Sequence, residues 1–477
     1  MLINKMKCVT VSVLLALTAY CNGQSTIQAQ TIIKAIRYLA SDKLEGRFPG
    51  SRGNTLAAAY IQRSFKKSSI EPLFPNYEQP FGAIVKLEAP EKDNFIKSGD
   101  QQNFLLNKDY GIFPFSGSAK LEANVLVAPS NKATMYNAAA IKAHWVVLWR
   151  NKIQASASDS LSDYAISKKA FEAGAAGIIL VSPDSVDQKD IMVRLRPRKN
   201  EPLPVPVIQL SRSAWQRLSN TLFTNHEENE EAKISSAPLT ISVQVEKKDV
   251  VAKNIVGIIR GNDPVLSNEY IVLGAHYDHL GYGGYGTGSL QPDTSAIHNG
   301  ADDNASGTAA LMSIAAELSR NRAHLKRSVI VIAFSAEEEG LLGSQYFVAH
   351  LPIPQSAVKV MLNMDMVGHL NSENQLYMGG AGTFAGGVDF MKAIGEGSGL
   401  NPVVNAGSVG GSDHVSFYEK SISCIGFHTG GHPQYHKPSD DAELINVEGI
   451  EKVARYIYKA VYGLANREGE WGFIQQD

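Results

Sequence analysis

The chain has 477 residues, which is more than one ordinary domain holds, so we expect two or three domains. Hydrophobic residues make up 44% of the chain and charged residues 19%, and the formal net charge is −2, as in many globular proteins. No long basic run is present, which argues against nucleic acid or an anionic membrane surface as a partner.

The first predicted element is a signal peptide at residues 1–23. Lys5 and Lys7 precede an apolar run that ends at Ala19, and small or polar residues follow. The alternatives are a buried first helix, or a lipid anchor at Cys21. We therefore expect an exported protein, periplasmic or extracellular. No later segment is long and apolar enough to predict a transmembrane span.

Residues 26–110 form the first part of the predicted larger domain. "TIIKAIRYLASDKLEGR" and "GNTLAAAYIQRSFKKSSI" repeat apolar residues at helical spacing, and a Gly/Pro loop separates them. Residues 111–246 differ in texture. They contain the apolar strand "WVVLWR", then a helix and a second strand in "AISKKAFEAGAAGIILVSPD", and so predict a smaller inserted α/β module.

Residues 247–477 alternate strands and helices. "EYIVLGAHYDH", "RSVIVIAFSA" and "VKVMLNMDMVG" are apolar runs typical of strands buried on both faces, and "GTAALMSIAAELSRN" is an amphipathic helix. The fold class expected is α/β, with a mixed, mostly parallel sheet sandwiched by helices. Cys424 lies in the apolar run "SISCIGF", which indicates a core residue without a disulfide partner.

Polar residues of metal-ligand type follow these strands or lie in Gly-containing loops, where the sites of α/β sheets form. A mixture of imidazoles and carboxylates is the ligand set expected for zinc or a similar divalent ion. The candidates are His276, Asp278, Asp302, Asp303, Glu337, Glu338, Glu339, Asp365 and His436.

The motifs "GAHYDH", "GADDNASG", "SAEEEGLLGS" and "NMDMVG", in this order, resemble those of the co-catalytic di-zinc exopeptidases. That family includes aminopeptidase Y, the bacterial leucyl aminopeptidases and glutamate carboxypeptidase. The likeness covers the helices before Gly111, with "LASDKLEGRFPGSRGN", and nearly all of the chain after Val250. It implies the zinc-exopeptidase (phosphorylase/hydrolase-like) fold, two Zn²⁺ ions and peptide substrates. Residues 111–246 resemble, more loosely, the protease-associated domain inserted in this family.

The resemblance assigns roles to individual residues. It implies His276 and Asp365 as ligands of one zinc, Glu338 and His436 as ligands of the other, and Asp303, not Asp302, as the bridging ligand. It further implies that the Asp303–Asn304 peptide bond is cis. Asp278 is expected to orient a ligand, Asp440 to orient His436, and Tyr435 to assist at the tetrahedral intermediate.

The three consecutive glutamates differ under the family pattern Ala-Glu-Glu-x-Gly. Glu337 takes the general-base position, Glu338 the ligand position and Glu339 the variable one. A carboxylate that binds zinc is a poor base, whereas its neighbour is free to take a proton from water and pass it to the leaving amine. We expect Glu339 to be a solvated residue at the start of a helix.

Other polar residues of this region receive structural interpretations. Asp413 and His414, in "GGSDHVSF", are expected behind the site. His279, His298, His369, His428 and His432 are expected to be structural or to line the pocket. "GYGGYGTGSL" lacks the Lys-Ser/Thr of a phosphate loop and is expected to be a flexible loop near the site mouth.

The function expected is a secreted zinc-dependent exopeptidase, with aminopeptidase favoured. The alternatives are a carboxypeptidase, a glutaminyl-cyclase-like acyltransferase with one working zinc, and a non-catalytic receptor-type ectodomain. The full set of ligand positions favours the peptidase. The inserted module contains no recognisable catalytic residue and is expected to narrow access to the site. The sequence sets no expectation for the oligomeric state.

Overall fold

The computed structural model describes residues 26–99, 104–127, 141–150, 162–182, 192–193, 195–196, 201–223, 232–284, 286–469 and 471–476. The predicted signal peptide at 1–23, with Cys21, lies outside the described residues. None of the helices within the described ranges is long and apolar enough to cross a membrane.

The elements are labelled in chain order. The helices are α1 (Ala29–Leu39), α2 (Arg52–Lys67), α3 (Asp163–Glu172), α4 (Arg212–Leu222), α5 (Gly307–Arg320), α6 (Leu342–Ala349), α7 (Gly387–Ala393), α8 (His414–Tyr418) and α9 (Val447–Asn466). The strands are β1 (Glu71–Pro72), β2 (Glu78–Glu88), β3 (Phe95–Lys97), β4 (Tyr110–Ile112), β5 (Ala119–Ala123), β6 (Val125–Val127), β7 (Trp145–Trp149), β8 (Gly177–Val181), β9 (Val207–Leu210), β10 (Lys233–Ile234), β11 (Leu239–Val243), β12 (Glu246–Ile259), β13 (Tyr270–His276), β14 (Ser328–Phe334), β15 (Val358–Met364), β16 (Gln375–Gly379), β17 (Asn401–Val404) and β18 (Cys424–His428).

The contacts divide the chain into two compact units, one formed by the residues up to Ala83 and from Val250 on, and the other by Ile84–Asp249. The corresponding boundaries expected from the sequence are 110/111 and 246/247. The earlier first boundary has a physical reason, because β3 precedes Gly111 but pairs with β11, deep inside the second unit.

The first unit is built on a mixed sheet. Among the described residues, nine strands form it in the order β1-β12-β14-β13-β15-β18-β16-β17, and β2 also pairs with β12. The central strands β14, β13, β15 and β18 are parallel, whereas β12 runs antiparallel to β14. This confirms the predicted mixed, mostly parallel sheet.

Helices cover both faces of this sheet, as predicted. Ile271, Leu273 and Ala275 of β13 pack in one apolar cluster with α1, α5 and α9, while Val272 packs on the opposite face with Phe347 and Phe417. Because successive side chains of a strand point to opposite faces, a strand covered on both sides needs an uninterrupted apolar run. Cys424 is fully buried and unpaired, which confirms its predicted place in the core.

The second unit contains two sheets within its described residues. A six-stranded sheet has the order β10-β6-β7-β8-β9-β4, with β6, β7, β8 and β9 parallel, and a three-stranded antiparallel sheet has the order β3-β11-β5. Trp145 is fully buried and its indole N–H donates to the Leu239 carbonyl oxygen at 3.1 Å, which joins the two sheets. A Cβ on Gly177 would lie 2.1 Å from the Trp145 ring, so this position requires glycine.

Glu317, on α5, fastens the first described residue to the helix layer. Its carboxylate accepts from the Thr26 amide at 3.1 Å and the Thr26 hydroxyl at 2.6 Å, and it pairs with Arg320. Burial alone would raise the pKa of Glu317, but the bonds from Arg320 and Thr26 dominate and lower it.

A Glu317→Gln variant should therefore lose stability in a pH-dependent way. A carboxyl whose pKa is lowered by folding stabilises the protein above its unfolded pKa, and that stability is lost as the pH falls through the folded pKa. We expect a loss of about 1–3 kcal/mol at neutral pH, shrinking below a pH of about 4. Urea unfolding of the variant and the wild type, at neutral pH and below a pH of about 4, measures this loss of stability. Glu396→Gln, at an exposed glutamate, is the control. An equal loss at both pH values would contradict the assignment.

Candidate metal centre

The candidate site lies at the carboxyl ends of three neighbouring parallel strands. His276 is the last residue of β13, Glu337 and Glu338 lie in the turn after β14, and Asp365 follows β15. Because parallel strands end at the same edge of a sheet, these side chains converge there. Two further candidates come from loops: Asp303 from the irregular helical turn Ala301–Ser306 before α5, and His436 from the loop after β18.

Two histidines lie next to the same carboxylate, each beside a different one of its two oxygens. His276 Nε2 lies 3.4 Å from Asp303 Oδ1 and 3.3 Å from Asp365 Oδ1. His436 Nε2 lies 3.1 Å from Asp303 Oδ2 and 3.3 Å from Glu338 Oε2. The two oxygens of Asp303 are thus shared between two sets of ligand-type atoms, each with one imidazole and one further carboxylate.

These separations fit a pair of zinc ions. Two ligand atoms bound at zinc's usual distances around one tetrahedral ion lie about 3.4 Å apart. Hydrogen bonding does not account for the cluster equally well, since one imidazole N–H serves one acceptor, yet His276 Nε2 has carboxylate oxygens of both Asp303 and Asp365 at 3.3–3.4 Å. The donor set and its spacing therefore match metal ligands.

The second nitrogen of each of these rings has its own partner. His436 Nδ1 donates to the Gly288 carbonyl oxygen at 3.0 Å, and His276 Nδ1 lies 3.3 Å from the Asp278 carbonyl oxygen. A proton held on Nδ1 leaves the lone pair of Nε2 free for a metal. Gly288 belongs to the glycine-rich loop expected near the site mouth, and this contact places that loop against His436.

The prediction that Asp440 orients His436 is wrong. The carboxylate of Asp440 instead accepts from the backbone amides of Asp302, at 3.0 and 3.1 Å, and Asp303, at 3.1 Å. Burial is the main cause that raises the pKa of Asp440 to about 6. Asp440 thus positions the backbone of the turn that carries Asp303. The Asp303–Asn304 peptide bond in this turn is cis, as the resemblance implies.

His279, expected from the sequence to be structural or to line the pocket, contacts one of the predicted ligands. Its Nδ1 lies 2.7 Å from Glu338 Oε1, and the ring is fully buried. His279, Asp303 and Glu338 also lie close enough to form a ligand group of their own. However, 2.7 Å is shorter than the separation of about 3.4 Å between ligands of one tetrahedral ion, and matches a hydrogen bond. We therefore place His436 among the ligand atoms and His279 behind Glu338. The position of His279, three residues after His276, was the one feature of the sequence that could have indicated this contact.

A His279→Ala variant should bind one of its two zinc ions about 10- to 100-fold more weakly, because outer partners of this kind fix the orientation of a ligand. Competition against a chelator of known affinity measures the change. His324→Ala, at an exposed histidine, is the control. Unchanged affinity in His279→Ala would show that Glu338 needs no such support.

The turn after β14 separates the three glutamates. Asp278 accepts from the backbone amides of Glu337 at 3.2 Å and Glu338 at 3.3 Å, and so holds the turn. Glu337 and Glu338 both face the cluster, with side chains 11% and 4% exposed. Glu339 is buried, which corrects the expectation of a solvated residue. The cause is the turn itself: α6 begins only at Leu342, after the backbone has folded back on Ala336.

Burial and charge shift the acid–base properties of the cluster. Burial is the main cause that raises the pKa of Glu337 well above its ordinary value, and the charges of Asp365, Glu338 and Asp413 raise it further. Burial would lower the pKa of His436, but Glu338 and Asp303 raise it to about 9. A metal that binds here displaces the proton of such an imidazole, so metal affinity should fall in acid.

Arg47 holds backbone carbonyls in the segments that carry the cluster, and no expectation for it came from the sequence. Its guanidinium is fully buried and donates to four carbonyl oxygens at 2.6–2.9 Å. The acceptors are Leu39, Tyr277, Asn299 and Gly300. Burial lowers the pKa of Arg47 to about 10, which still leaves the group charged near neutral pH. Its neighbour Gly46 has φ +66°, and a Cβ there would lie 2.5 Å from the Gly281 carbonyl oxygen.

A cavity of about 550 Å³ opens onto the cluster. Its described lining includes Asp303, Glu337, Glu338, Asp365, Met366, His432, Tyr435 and His436. The Tyr435 ring stacks on the His436 ring at 3.9 Å, and burial raises the pKa of its hydroxyl, so that it remains a proton donor at neutral pH. A second cavity of about 290 Å³ shares Asp365 and Met366 with the first.

The remaining predicted polar residues lie around these cavities. Asp413 is fully buried, and burial raises its pKa to about 7. His414 and His428 line the smaller cavity. His298 Nε2 lies 2.8 Å from the Ser289 hydroxyl. His369 and His432 lie together, beside Asp302.

Known proteins resemble this chain in sequence and in fold. The family model described as Peptidase family M28 matches residues 254–461. Aminopeptidase YwaD of Bacillus subtilis (strain 168) is 26% identical over 442 residues, which cover 90% of this chain and 83% of that protein. Leucine aminopeptidase 2 of Arthroderma otae is 27% identical over 226 residues, covering 45% of this chain and 41% of that protein.

Two solved structures share the fold. One is an aminopeptidase from Aneurinibacillus sp. strain AM-1, with a TM-score of 0.61, 22% identity, and coverage of 94% of this chain and 97% of that chain. The other is BSAP, a zinc aminopeptidase from Bacillus subtilis, with a TM-score of 0.60, 21% identity, and coverage of 92% and 96%.

Proposed function

We propose that this chain is a zinc-dependent aminopeptidase, on the premise that residues 254–461 match the model of Peptidase family M28. It removes the N-terminal residue of peptides. The two ligand sets that share Asp303 support this proposal, because they match two zinc ions in donor type and in spacing.

One observation favours an aminopeptidase over a carboxypeptidase. Four carboxylates line the cavity of about 550 Å³ at the cluster, and no Lys or Arg is among its described lining residues. A substrate's C-terminal carboxylate therefore meets no cationic side chain there to bind it.

In the proposed site, His276, Asp303 and Asp365 would hold one zinc ion, and Asp303, Glu338 and His436 the other. Bound zinc supplies Lewis-acid polarisation of the scissile carbonyl and makes water a better proton donor. The remaining chemistry belongs to the side chains around it.

Glu337 is the proposed general base. Its carboxylate faces the cluster without belonging to either ligand set, and its raised pKa suits a group that both takes and returns a proton. It takes a proton from the attacking water and delivers it to the amine that leaves as the peptide bond breaks. Asp278 holds the backbone of Glu337 and Glu338 in place, and Tyr435 donates a hydrogen bond to the developing oxyanion.

The chain is also proposed to be exported, on the basis of the basic and apolar N-terminal segment at 1–23. The role of the module within Ile84–Asp249 in restricting substrate size stays a prediction. Deleting it without a change in peptide-length preference would refute that prediction.

A panel of aminoacyl-nitroanilides and dipeptides tests the function. The purified full-length protein should hydrolyse substrates with a free amino terminus, fail on their N-acetylated counterparts, lose activity with a chelator and regain it with zinc. The same panel identifies the preferred N-terminal residue. Cyclisation of an N-terminal Gln peptide without hydrolysis of the panel would point to the acyltransferase instead. A protein that binds no divalent ion and stays inactive with added zinc would refute the proposal.

A further inference from the structure

Three side chains next to the metal-ligand cluster could together bind a further metal ion. Asp302, His369 and His432 bring one ligand atom each to within 4.8 Å of one another. Asp302 Oδ2 lies 3.4 Å from His432 Nε2, and the planes of the two imidazole rings are tilted by 32°, with centroids 4.1 Å apart. None of the three belongs to either ligand set around Asp303.

These three atoms have no hydrogen-bond partner, although they are buried. Asp302 Oδ2, His369 Nε2 and His432 Nε2 are all enclosed and unpaired, and the side chains of Asp302 and His432 are 0% and 6% exposed. A buried polar atom left without a partner is costly, so three in one place need an explanation.

The other polar atoms in the group are already engaged and fix the orientation of the open ones. Asp302 Oδ1 accepts the Gly368 amide at 2.6 Å, which leaves Oδ2 turned towards the two rings. His432 Nδ1 lies 3.4 Å from the Gln434 side-chain oxygen. A proton on that Nδ1 leaves the Nε2 lone pair directed at Asp302 and His369.

A proton alone does not satisfy this group. If His432 Nε2 were protonated, it would pair with Asp302 and leave His369 Nε2 buried without a partner. A divalent ion satisfies all three atoms at once. Two imidazoles and one carboxylate form an established ligand set for zinc, and the separation of 3.4 Å between Asp302 and His432 matches two ligands of one tetrahedral ion, which lie about 3.4 Å apart.

We propose that Asp302, His369 and His432 form a third zinc-binding site, distinct from the pair of ions held around Asp303. The group connects three segments of the candidate active site. Asp302 lies in the turn with Asp303, His369 follows Asp365 in the loop after β15, and His432 precedes Tyr435 and His436 in the loop after β18. An ion here cross-links the segments that supply the other ligands, and so its role is structural.

Metal counting on the untagged, full-length protein tests this proposal. After loading with zinc and removal of the excess, elemental analysis should give three zinc ions per wild-type chain, two for His369→Ala and three for the control His324→Ala. His432→Gln should also give two, which covers a failure of His369→Ala to fold. The added zinc should raise the Tm of His369→Ala less than that of the wild type.

The counts also separate this proposal from the proposed function. Two ions in both the wild type and His369→Ala would overturn the third site and leave the aminopeptidase intact. Three ions in His369→Ala would overturn it as well. One ion in the wild type and none in His369→Ala would support the third site while refuting the two-zinc centre.

Discussion

A Glu337→Gln enzyme should keep its zinc and lose about 10²- to 10⁴-fold in kcat, which is the usual contribution of a general acid–base group. The amide matches the carboxylate in size but does not take a proton from water. Glu337 lies 4.0 Å from His276 Nε2, whereas both metal-ligand sets are complete without it, so metal content should stay unchanged. Steady-state kinetics and elemental analysis of one preparation measure both effects.

Its two neighbours in the chain provide matched comparisons. Glu338→Gln should lose one zinc ion as well as activity, because Glu338 lies 3.3 Å from His436 Nε2 within the second ligand set. Glu339→Gln should keep both its zinc and its kcat. Full activity in Glu337→Gln would assign the proton transfer to another group, and loss of zinc in that variant would reassign Glu337 as a ligand.

Arg47→Met should destabilise the protein by about 3–5 kcal/mol, because several buried carbonyl oxygens lose their hydrogen-bond donor at once. Methionine fills much of the space but leaves four carbonyl oxygens without the guanidinium that they share. Urea unfolding at neutral pH measures the loss. Arg52→Met is the control, since the Arg52 side chain is 71% exposed and its ion pair with Glu45, at 3.8 Å, is long.

The same variant should also weaken zinc binding, because the Tyr277 and Gly300 carbonyls held by Arg47 adjoin the segments that carry His276 and Asp303. Arg47→Lys should recover only part of the stability, since an ammonium group lacks the planar, spread donors of a guanidinium. Surface substitutions usually change the free energy of unfolding by less than about 1 kcal/mol. A loss that small in Arg47→Met would show that water replaces the guanidinium.

The sequence allowed the sheet and the site edge to be predicted because both depend on local patterns. Apolar runs such as "SVIVIAF" mark strands covered on both faces, and polar residues directly after them must meet at the carboxyl edge. Cys424 was assigned to the core by the same reasoning, and β18 places it there.

Other features depend on contacts between distant residues, which no local pattern reveals. Asp440 was assigned to His436, four residues away, but it caps backbone amides of the Asp303 turn, more than 130 residues earlier. Arg47 resembles a solvated arginine in a polar loop, and only the fold brings four carbonyl oxygens to it. The family resemblance, and not residue spacing, gave His436 as the ligand and left His279 as structural or pocket-lining; the contacts with Glu338, 3.3 Å for His436 and 2.7 Å for His279, depend on the fold.

The interruption of the first unit by Ile84–Asp249 affects how the chain folds during synthesis. Helices α1 and α2 leave the ribosome before the second unit, whereas α5 and α9, which complete the same apolar cluster, follow it. At ordinary elongation rates the apolar faces of α1 and α2 wait about 10–80 s for these partners. The second unit is continuous and can fold in that interval. The nascent chain thus passes through a stage with one finished unit and one exposed half-core, which is the stage at which chaperones or premature aggregation would act.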